Sequence, residues 1–332
     1  EVVERLSDPS FRPRALFKRF GIHTLATTDD ARSDLLAHDR VGSSGWTGRV
    51  IPTFRPDAVI DPMHPNFGAA VSELGRISGR DVEDYGDYLQ ALRDRRAYFR
   101  SRGATATDHG PEFPDFLELD HTEARAIYRV LRRGEASEAQ ARRFGAHMLM
   151  MMAEMSTEDG LVMQLHPGSV RNYDALGFNR YGADIGADIP RRVDMTDALR
   201  PVLNRLGHHP NFRLIAFTLD ETVNSRELAP LAGYFPALRL GPPWWFYDAP
   251  DAMLRWWSSV SETAGFANTV GFNDDTRGFL SIPGRHDVAR RINASYLARL
   301  VSEHRIGEED AISIARRLVS DLPLEAYRLN EG

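Results

Sequence analysis

The sequence predicts an α/β fold, a distorted (β/α)₈ barrel of the TIM type, of which this chain carries strands two to eight. Short apolar runs alternate with amphipathic stretches along the chain, and this alternation is typical of a parallel sheet or barrel. Polar residues follow nearly every run, whereas an open doubly wound sheet would gather its site at one switch point. The open sheet remains the competing architecture.

Seven apolar runs, bounded by turn-forming residues and too short for helices, are the candidate strands. A (β/α)₈ barrel has eight strands. The chain starts abruptly, without a methionine, and we therefore expect the first barrel strand to lie upstream of Glu1. The candidates are Ile22–Thr27, Arg49–Phe54, Ala104–Asp108, Leu161–His166, Arg213–Leu219, Ala237–Leu240 and Thr269–Asn273.

The helices predicted between these strands repeat apolar residues every three or four positions, which places them on one helix face. A methionine run at 148–152 falls in one of them, and we expect it to pack in the core without a functional role. The predicted helices are Asp30–His38, Val82–Arg102, Glu138–Met155, Met195–Leu206, Ala252–Ala264, Asp287–His304 and Glu308–Leu318.

The composition limits the class of function. Hydrophobic residues make up 42% and charged residues 27%, as in ordinary globular proteins. The net charge of -6 argues against nucleic acid or anionic membranes as partners, and no apolar run approaches the ~20 residues that span a bilayer. The absence of cysteine excludes disulfides and thiolate chemistry and is compatible with a cytoplasmic protein. Dinucleotide-binding, Walker and serine-hydrolase motifs are also absent from the sequence.

The segment Asn268–Arg277 is the most informative, because an apolar run ends there in two carboxylates and an arginine. In barrels the carboxyl ends of the strands carry the chemistry. Asp275 and Arg277 are two positions apart, so an extended backbone would direct both to the same side. A carboxylate that can bind a metal or move a proton would then lie beside a fixed cation. The alternative, for this segment alone, is a solvated surface turn.

His166 ends another candidate strand, and imidazole is both a common metal ligand and a proton shuttle. A histidine at the end of a buried strand can equally be a hydrogen-bonded core residue. Arg171 follows after a Pro-Gly turn, which could bring its guanidinium back over the strand ends. Taken alone, Arg171 is better interpreted as a surface residue.

Three further strand ends carry candidate binding residues. The proline after Arg55 restricts the backbone and would aim the arginine side chain. Asp108 could orient a histidine, bind a sugar hydroxyl or simply end a strand in a turn. The aromatic segment Trp244–Phe246 could stack against a sugar or plug the barrel top. Because arginine binds carboxylates bidentately, this set predicts a small anionic substrate and one metal or proton-transfer centre.

Six motifs, in this order along the chain, carry a family resemblance. They are LATTDD (25–30), RPDAVID (55–61), ATDHG (106–110), MQLHPGSVRN (163–172), GPPWWF (241–246) and NDDTRGFLSIPGRHDVARR (273–291). Together they resemble the uronate isomerase family, also called glucuronate isomerase, of the amidohydrolase superfamily. The resemblance implies interconversion of D-glucuronate with D-fructuronate and of D-galacturonate with D-tagaturonate through a cis-enediol. It implies a hexuronate substrate and a divalent metal, zinc in the first place, and leaves a homo-oligomer open.

Matched position by position, the resemblance implies roles for the candidate residues. Asp275 would be a metal ligand and catalytic residue, with Arg277 beside it. His166 would lie near the metal as a catalytic residue and a candidate second ligand. The residues implied to line the sugar pocket are Arg55, Asp108, Arg171 and Trp244.

The chain departs from the family pattern at its start. The family carries a His-x-His metal motif on strand one and a helical insertion with a His-Tyr pair, and this chain has neither. We therefore expect residues 1–332 to form a single barrel domain with strands two to eight and the C-terminal helices. Two other functions stay open: a metal-dependent hydrolase on the same barrel, and an inactive barrel fragment without the His-x-His motif.

Overall fold

The structure is a computed structural model that describes residues 2–276 and 278–330 of the chain. Six parallel strands form its main sheet, and a separate antiparallel pair lies between the fourth and fifth of them. The main-sheet strands are β1 (Thr24–Asp30), β2 (Arg49–Arg55), β3 (Ala106–His109), β4 (Val162–Leu165), β7 (Leu214–Ala216) and β8 (Leu238–Leu240), and the pair is β5 (Ser169–Val170) with β6 (Ile189–Pro190).

The strands of the main sheet are arranged in chain order, β1-β2-β3-β4-β7-β8. A doubly wound sheet reverses its order at a switch point. The consecutive order therefore favours the barrel type of winding over the open alternative. Within the described part of the chain the sheet is not closed, since β1 pairs there with β2 alone.

The prediction of a seventh strand over Thr269–Asn273 is wrong. Of this run, Thr269 alone forms a β-bridge, which pairs it with Leu240. The N–H of Val270 donates to the carbonyl of Leu240 at 3.0 Å. Gly271 has a φ of 69°, which interrupts extended backbone. A Cβ there would lie 2.3 Å from the carbonyl oxygen of Leu318, so the chain packs against the C-terminal helices instead of extending the sheet.

Most predicted helices are confirmed, and Met195–Leu206 matches at both ends. The prediction over Asp30–His38 is largely wrong. Asp30 ends β1, its side chain accepts from the N–H of Arg32 in a turn, and the helix begins only at Leu36. Several helices were not predicted, and the longest of them are Phe67–Ser78 and His121–Arg132. None of the described helices combines the length and apolar character needed to cross a bilayer.

The helices are numbered in chain order, and a π-helical turn at Asn224–Leu228 precedes the eleventh. They are α1 (Val2–Ser7), α2 (Pro13–Arg19), α3 (Leu36–Gly42), α4 (Asp57–Ile60), α5 (Phe67–Ser78), α6 (Tyr85–Arg100), α7 (His121–Arg132), α8 (Glu138–Asp159), α9 (Ala175–Tyr181), α10 (Met195–Leu206), α11 (Ala229–Tyr234), α12 (Pro250–Val260), α13 (Ile282–Ser302), α14 (Glu308–Val319) and α15 (Asp321–Ala326).

The two faces of the sheet carry different apolar clusters. Met163, Leu165 and Leu214 face the large cluster formed with the helices. Their neighbours Val162 and Ile215 belong to a smaller cluster, as expected from the alternation of side chains along a strand. We call the face with the smaller cluster the inner face. Because the strands are buried on both faces, they appear in the sequence as continuous apolar runs rather than alternating ones.

A C-terminal stretch, residues 325–329, lies across the amino ends of the strands, and we call it the floor segment. Arg49, at the start of β2, donates to the carbonyl of Leu329 at 2.6 Å. Arg328 donates to the carbonyl of Gly160, just before β4, at 2.7 Å. Arg213, just before β7, donates to the carbonyl of Glu325. These bonds attach the floor segment to three strands of the sheet.

Candidate active site

A histidine–carboxylate pair lies at the carboxyl ends of β3 and β4. The parallel register places Asp108 beside Gln164, so that His166 directly follows β4 at the same edge. The Nδ1 atom of His166 lies 2.6 Å from Oδ1 of Asp108, and both side chains are largely buried. Because a carboxylate only accepts, Nδ1 carries the proton, and Nε2 of a neutral His166 remains an acceptor.

Arg55 joins this pair to a second carboxylate. Its Nη1 donates to Oδ2 of Asp108 at 2.9 Å, and its Nε donates to Oδ2 of Asp57 at 2.9 Å. A Cβ at Gly110 would lie 2.3 Å from Nη2 of Arg55, so this glycine leaves room for the guanidinium. The geometry thus commits Arg55 to protein carboxylates.

The electrostatics of this group keep Asp108 and Arg55 charged. Burial raises the pKa of Asp108, but the neighbouring His166 and Arg55 outweigh it and hold that pKa well below its usual range. Burial lowers the pKa of Arg55, whereas Asp57, Asp108 and Asp275 raise it, and the net shift is upward. Asp108 is therefore an ionised acceptor for His166 throughout the neutral range.

An aromatic wall encloses His166. Its ring stacks on Phe217 with centroids 4.0 Å apart, and Trp244 meets it edge-on at 4.7 Å. The Nε1 atom of Trp244 is buried and has no hydrogen-bond partner among the described residues. A buried indole N–H without a partner is uncommon in folded proteins and is suited to donate to a bound ligand.

Arg171 lies further out and reaches the wall through Trp245. Its Nη1 donates to Asp188 at 2.9 Å, and its guanidinium carbon lies 4.8 Å from the Trp245 ring centroid. Trp245 in turn contacts Trp244 at 5.5 Å and has a φ of 54°, an uncommon backbone conformation for a bulky residue. With 48% of its side chain exposed, Arg171 lies at the protein surface, on the outer side of Trp245.

Asp275 lies in the loop that follows the bridge to β8, and its side chain is exposed. Its neighbour Asp274 is paired with Arg285 of α13, and Arg285 also donates to Asp248 at 2.7 Å. Asp275 also raises the pKa of Arg55, less than Asp57 and Asp108 do. Arg277 lies outside the described residues, so the expectation that it faces the same side as Asp275 stays a prediction.

The donors expected for a metal ion have suitable chemistry but do not form a complete set. The Nε2 atom of His166 and the carboxylate of Asp275 are ligand types that zinc accepts. Over residues 2–276 and 278–330, no group of three or more histidine, cysteine, aspartate or glutamate side chains could hold a metal ion. A structural zinc site takes four protein ligands, and a catalytic site takes three.

Several residues of this region were not predicted. Asp57 was not a candidate site residue, although it lies only two positions after Arg55 in the polar segment that follows the strand. Phe217 follows Ile215 on the inner face, and the two-residue alternation could have indicated it. Arg285 carries no local signal, because its partners Asp248 and Asp274 come from two separate loops.

A parallel sheet wound in chain order, with a histidine–carboxylate pair at the carboxyl ends of its strands, defines an α/β enzyme. The chain matches the glucuronate isomerase family over residues 1–327. It belongs to that family and is an isomerase.

The relatives and solved structures agree with this assignment. The uronate isomerases of Rhizorhabdus wittichii and Xanthomonas campestris are 56% and 53% identical over 328 residues, which are 99% of this chain and 70% of each relative. The glucuronate isomerase of Caulobacter crescentus is 50% identical with a TM-score of 0.97, covering 99% of this chain and 69% of that one. The uronate isomerase of Thermotoga maritima is 26% identical with a TM-score of 0.90, covering 95% and 70%.

Proposed function

We propose that this isomerase interconverts D-glucuronate with D-fructuronate and D-galacturonate with D-tagaturonate at the carboxyl ends of its strands. The observation that carries the proposal is the buried Asp108–His166 pair, with an accepting Nε2 beside the unpartnered Trp244 N–H. One group can take a proton from a sugar hydroxyl, and the other can donate to a sugar oxygen. We also propose that the sheet is part of a (β/α)₈ barrel and that residues 1–332 form one domain.

The reaction moves a carbonyl from C1 to C2, and its protons balance. A base removes the C2 proton while the C1 oxygen takes a proton from water, which gives the cis-enediol. The O2 proton then leaves, to be returned to water, and the base gives its proton to C1, so that the carbonyl forms at C2. We assign the carbon proton to Asp275 and the O2 proton to Nε2 of His166, where the resulting imidazolium is stabilised by Asp108.

The remaining side chains bind and position the sugar. We assign the substrate carboxylate to Arg171, beside Trp245, and to Arg277, since arginine forms paired hydrogen bonds with carboxylates. Trp244 provides a wall and a hydrogen-bond donor. Arg55 was expected to bind substrate, and its bonds to Asp57 and Asp108 support a different role. We propose that Arg55 positions Asp108.

We propose zinc as the divalent ion of this site, with Asp275 supplying one of its ligands. His166 was the other expected ligand, but in this scheme its Nε2 takes the O2 proton and is therefore not bound to the ion. When bound, the ion would stabilise negative charge on a substrate oxygen. Metal analysis of the purified protein tests this part separately. Zinc at close to one equivalent, reduced by Asp275→Asn, is the expected result, and equal content in both proteins would contradict the assignment.

The reaction is tested by incubating the protein with each hexuronate in D₂O and following ketose formation by NMR. We expect conversion and exchange of solvent deuterium into the sugar, because the base Asp275 can exchange its proton with water. Asp275→Asn should lose at least about 10²-fold in kcat, as expected for a positioned base. Exposed Asp251, in the first turn of α12, provides the matched control variant Asp251→Asn. Hydrolysis of a lactone panel without isomerisation would overturn the proposal.

A further inference from the structure

The floor segment inserts one side chain into the surface that carries the active site. Tyr327 packs against the inner-face cluster, which contains Val162, Ile215 and Trp244. Val162 lies two and four positions before Gln164 and His166 in the sequence, so all three side chains point to the same side of β4 and its extension. Tyr327 therefore lies on the inner face, on the amino-end side of His166.

The hydroxyl of Tyr327 makes a defined contact there. It donates to Oε1 of Gln164 at 2.8 Å, across a separation of 163 residues. The side-chain amide of Gln164 also donates to the carbonyl of Thr107 at 3.4 Å, and Thr107 is bonded directly to Asp108. The tyrosine thus holds a side chain that touches both strands of the histidine–carboxylate pair.

The surroundings of Tyr327 keep its hydroxyl protonated. Burial raises the pKa of Tyr327, and the carboxylates of Asp108 and Asp275 raise it further. The hydroxyl consequently remains a neutral donor, and no second negative charge develops beneath Asp108.

The floor segment is itself held in place, so the position of Tyr327 is fixed by the sheet. Arg328 donates to Gly160 at 2.7 Å and to the carbonyl of Asn211 at 2.8 Å. The carbonyl of Leu329 accepts from Arg49 at 2.6 Å. These hydrogen bonds fix the backbone next to Tyr327, while its side chain contacts Gln164 of β4.

From this juxtaposition we propose that Tyr327 is a positioning residue of the active site, which through Gln164 fixes the Asp108–His166 pair against the bound hexuronate. The inference rests on the proposed function. It gives the floor segment a role in catalysis in addition to its attachment to the amino ends of three strands. Tyr327 touches no reacting atom in this scheme.

The test compares Tyr327→Phe with Tyr88→Phe in the proposed isomerisation assay. Tyr88 is fully buried on the helix side of the sheet, and its hydroxyl donates to the carbonyl of Val59 at 2.7 Å. Both variants lose one tyrosine hydrogen bond, and both should lower Tm. Tyr327→Phe should lower kcat about tenfold with KM changed by less than about twofold, whereas Tyr88→Phe should keep kcat. A kcat for Tyr327→Phe equal to that of the unsubstituted protein would overturn the proposal.

A double-mutant cycle with Gln164→Met provides a second criterion. If Tyr327→Phe does not fold, the kcat of Gln164→Met alone still tests the contact. If the two residues act through their contact, each single variant should lose a similar factor in kcat and the double variant should lose no more. Multiplicative losses, or wild-type kcat in Gln164→Met, would overturn the proposal. Absence of turnover in the unsubstituted protein would overturn the proposed function, and this inference with it.

Discussion

The imidazole of His166 and the carboxylate of Asp108 form a hydrogen bond of 2.6 Å between two neighbouring parallel strands. The register that pairs β3 with β4 creates this contact, because it places both residues at the same edge of the sheet. Asp108 can serve His166 only while Arg55 neutralises its second oxygen. The pair is therefore sensitive to changes that preserve shape but alter charge.

Asp108→Asn is expected to lower kcat by about 10² to 10⁴-fold with a smaller change in KM. An amide can present its NH₂ group to Nδ1, which moves the imidazole proton to Nε2 and removes the acceptor from the pocket. Steady-state kinetics with glucuronate measure the effect, with Asp251→Asn again as the control. Turnover within about twofold of the unsubstituted enzyme would contradict the role of Asp108.

Trp244→Phe should mainly lower kcat/KM, whereas Trp257→Phe should mainly lower Tm. The Trp244 N–H has no partner in the described structure, so its removal should reduce kcat/KM about tenfold while leaving Tm nearly unchanged. The Trp257 N–H donates to Asn293 at 2.7 Å in the core, so its removal should lower Tm and spare catalysis. Kinetics and thermal melts on both variants provide the comparison. Equal kinetic losses in the two would show that the Trp244 N–H binds no substrate.

Arg285→Met should disorder the loop that carries Asp275. Arg285 pairs with Asp274, which is only 6% exposed, and with Asp248, so its loss leaves a buried charge without its partner. We expect a loss of about 1–3 kcal/mol in the free energy of unfolding, together with a lower kcat. Adding Asp274→Asn should restore part of the stability.

Arg291→Met is the matched control on the same helix. Arg291 pairs with Asp287 four residues earlier, and both side chains are well exposed. Surface pairs of this kind contribute about 0–1 kcal/mol, so this variant should resemble the unsubstituted protein in unfolding and kinetics. Equal effects of the two substitutions would contradict the proposal that Arg285 holds the Asp275 loop through Asp274 and Asp248.

His147 gives a pH-dependent contribution to stability. Its Nδ1 accepts from the N–H of Leu119 at 3.3 Å, which leaves Nε2–H to donate to the Tyr85 oxygen, 2.7 Å away. Burial lowers the pKa of His147 in the folded protein, whereas the unfolded chain binds a proton below about pH 6.5. The unfolded state then holds more protons, so this contribution is present above that pH and declines as the pH falls.

Denaturant unfolding of the unsubstituted protein and His147→Gln between pH 7.5 and pH 5 measures this contribution. The stability advantage of the unsubstituted protein should be largest at the upper pH and should narrow toward the lower one. Exposed His208 gives the control variant His208→Gln, whose difference should stay constant. A constant difference for His147→Gln as well would disprove the linkage.

Local patterns were sufficient where one segment determines its own structure. The apolar spacing of Met195–Leu206 gave a helix correct at both ends, because its Asp194 cap and Gly207 flank it directly. The run Thr269–Asn273 failed for a tertiary reason. Gly271 adopts positive φ to fit against Leu318, and no sequence pattern reveals that contact.

In the candidate site, too, local patterns identified single residues, whereas contacts between distant segments could not be predicted. The sequence pointed to strand ends, and the structure brings Arg55, Asp108, His166 and Trp244 into one connected group. Composition and spacing did not reveal that Arg55 is held by two carboxylates, since that depends on the register between neighbouring strands. The contact of Tyr327 with Gln164 spans 163 residues and has no local signature.

The floor segment also determines when during protein synthesis the sheet can be completed. Its anchor Leu329 is translated 280 residues after Arg49, an interval of tens of seconds at about 5–20 residues per second. Until then the inner-face side chains that pack on Ala326, among them Ala106 and Ile215, have no cover from that segment. The inner face therefore reaches its final packing only late in translation.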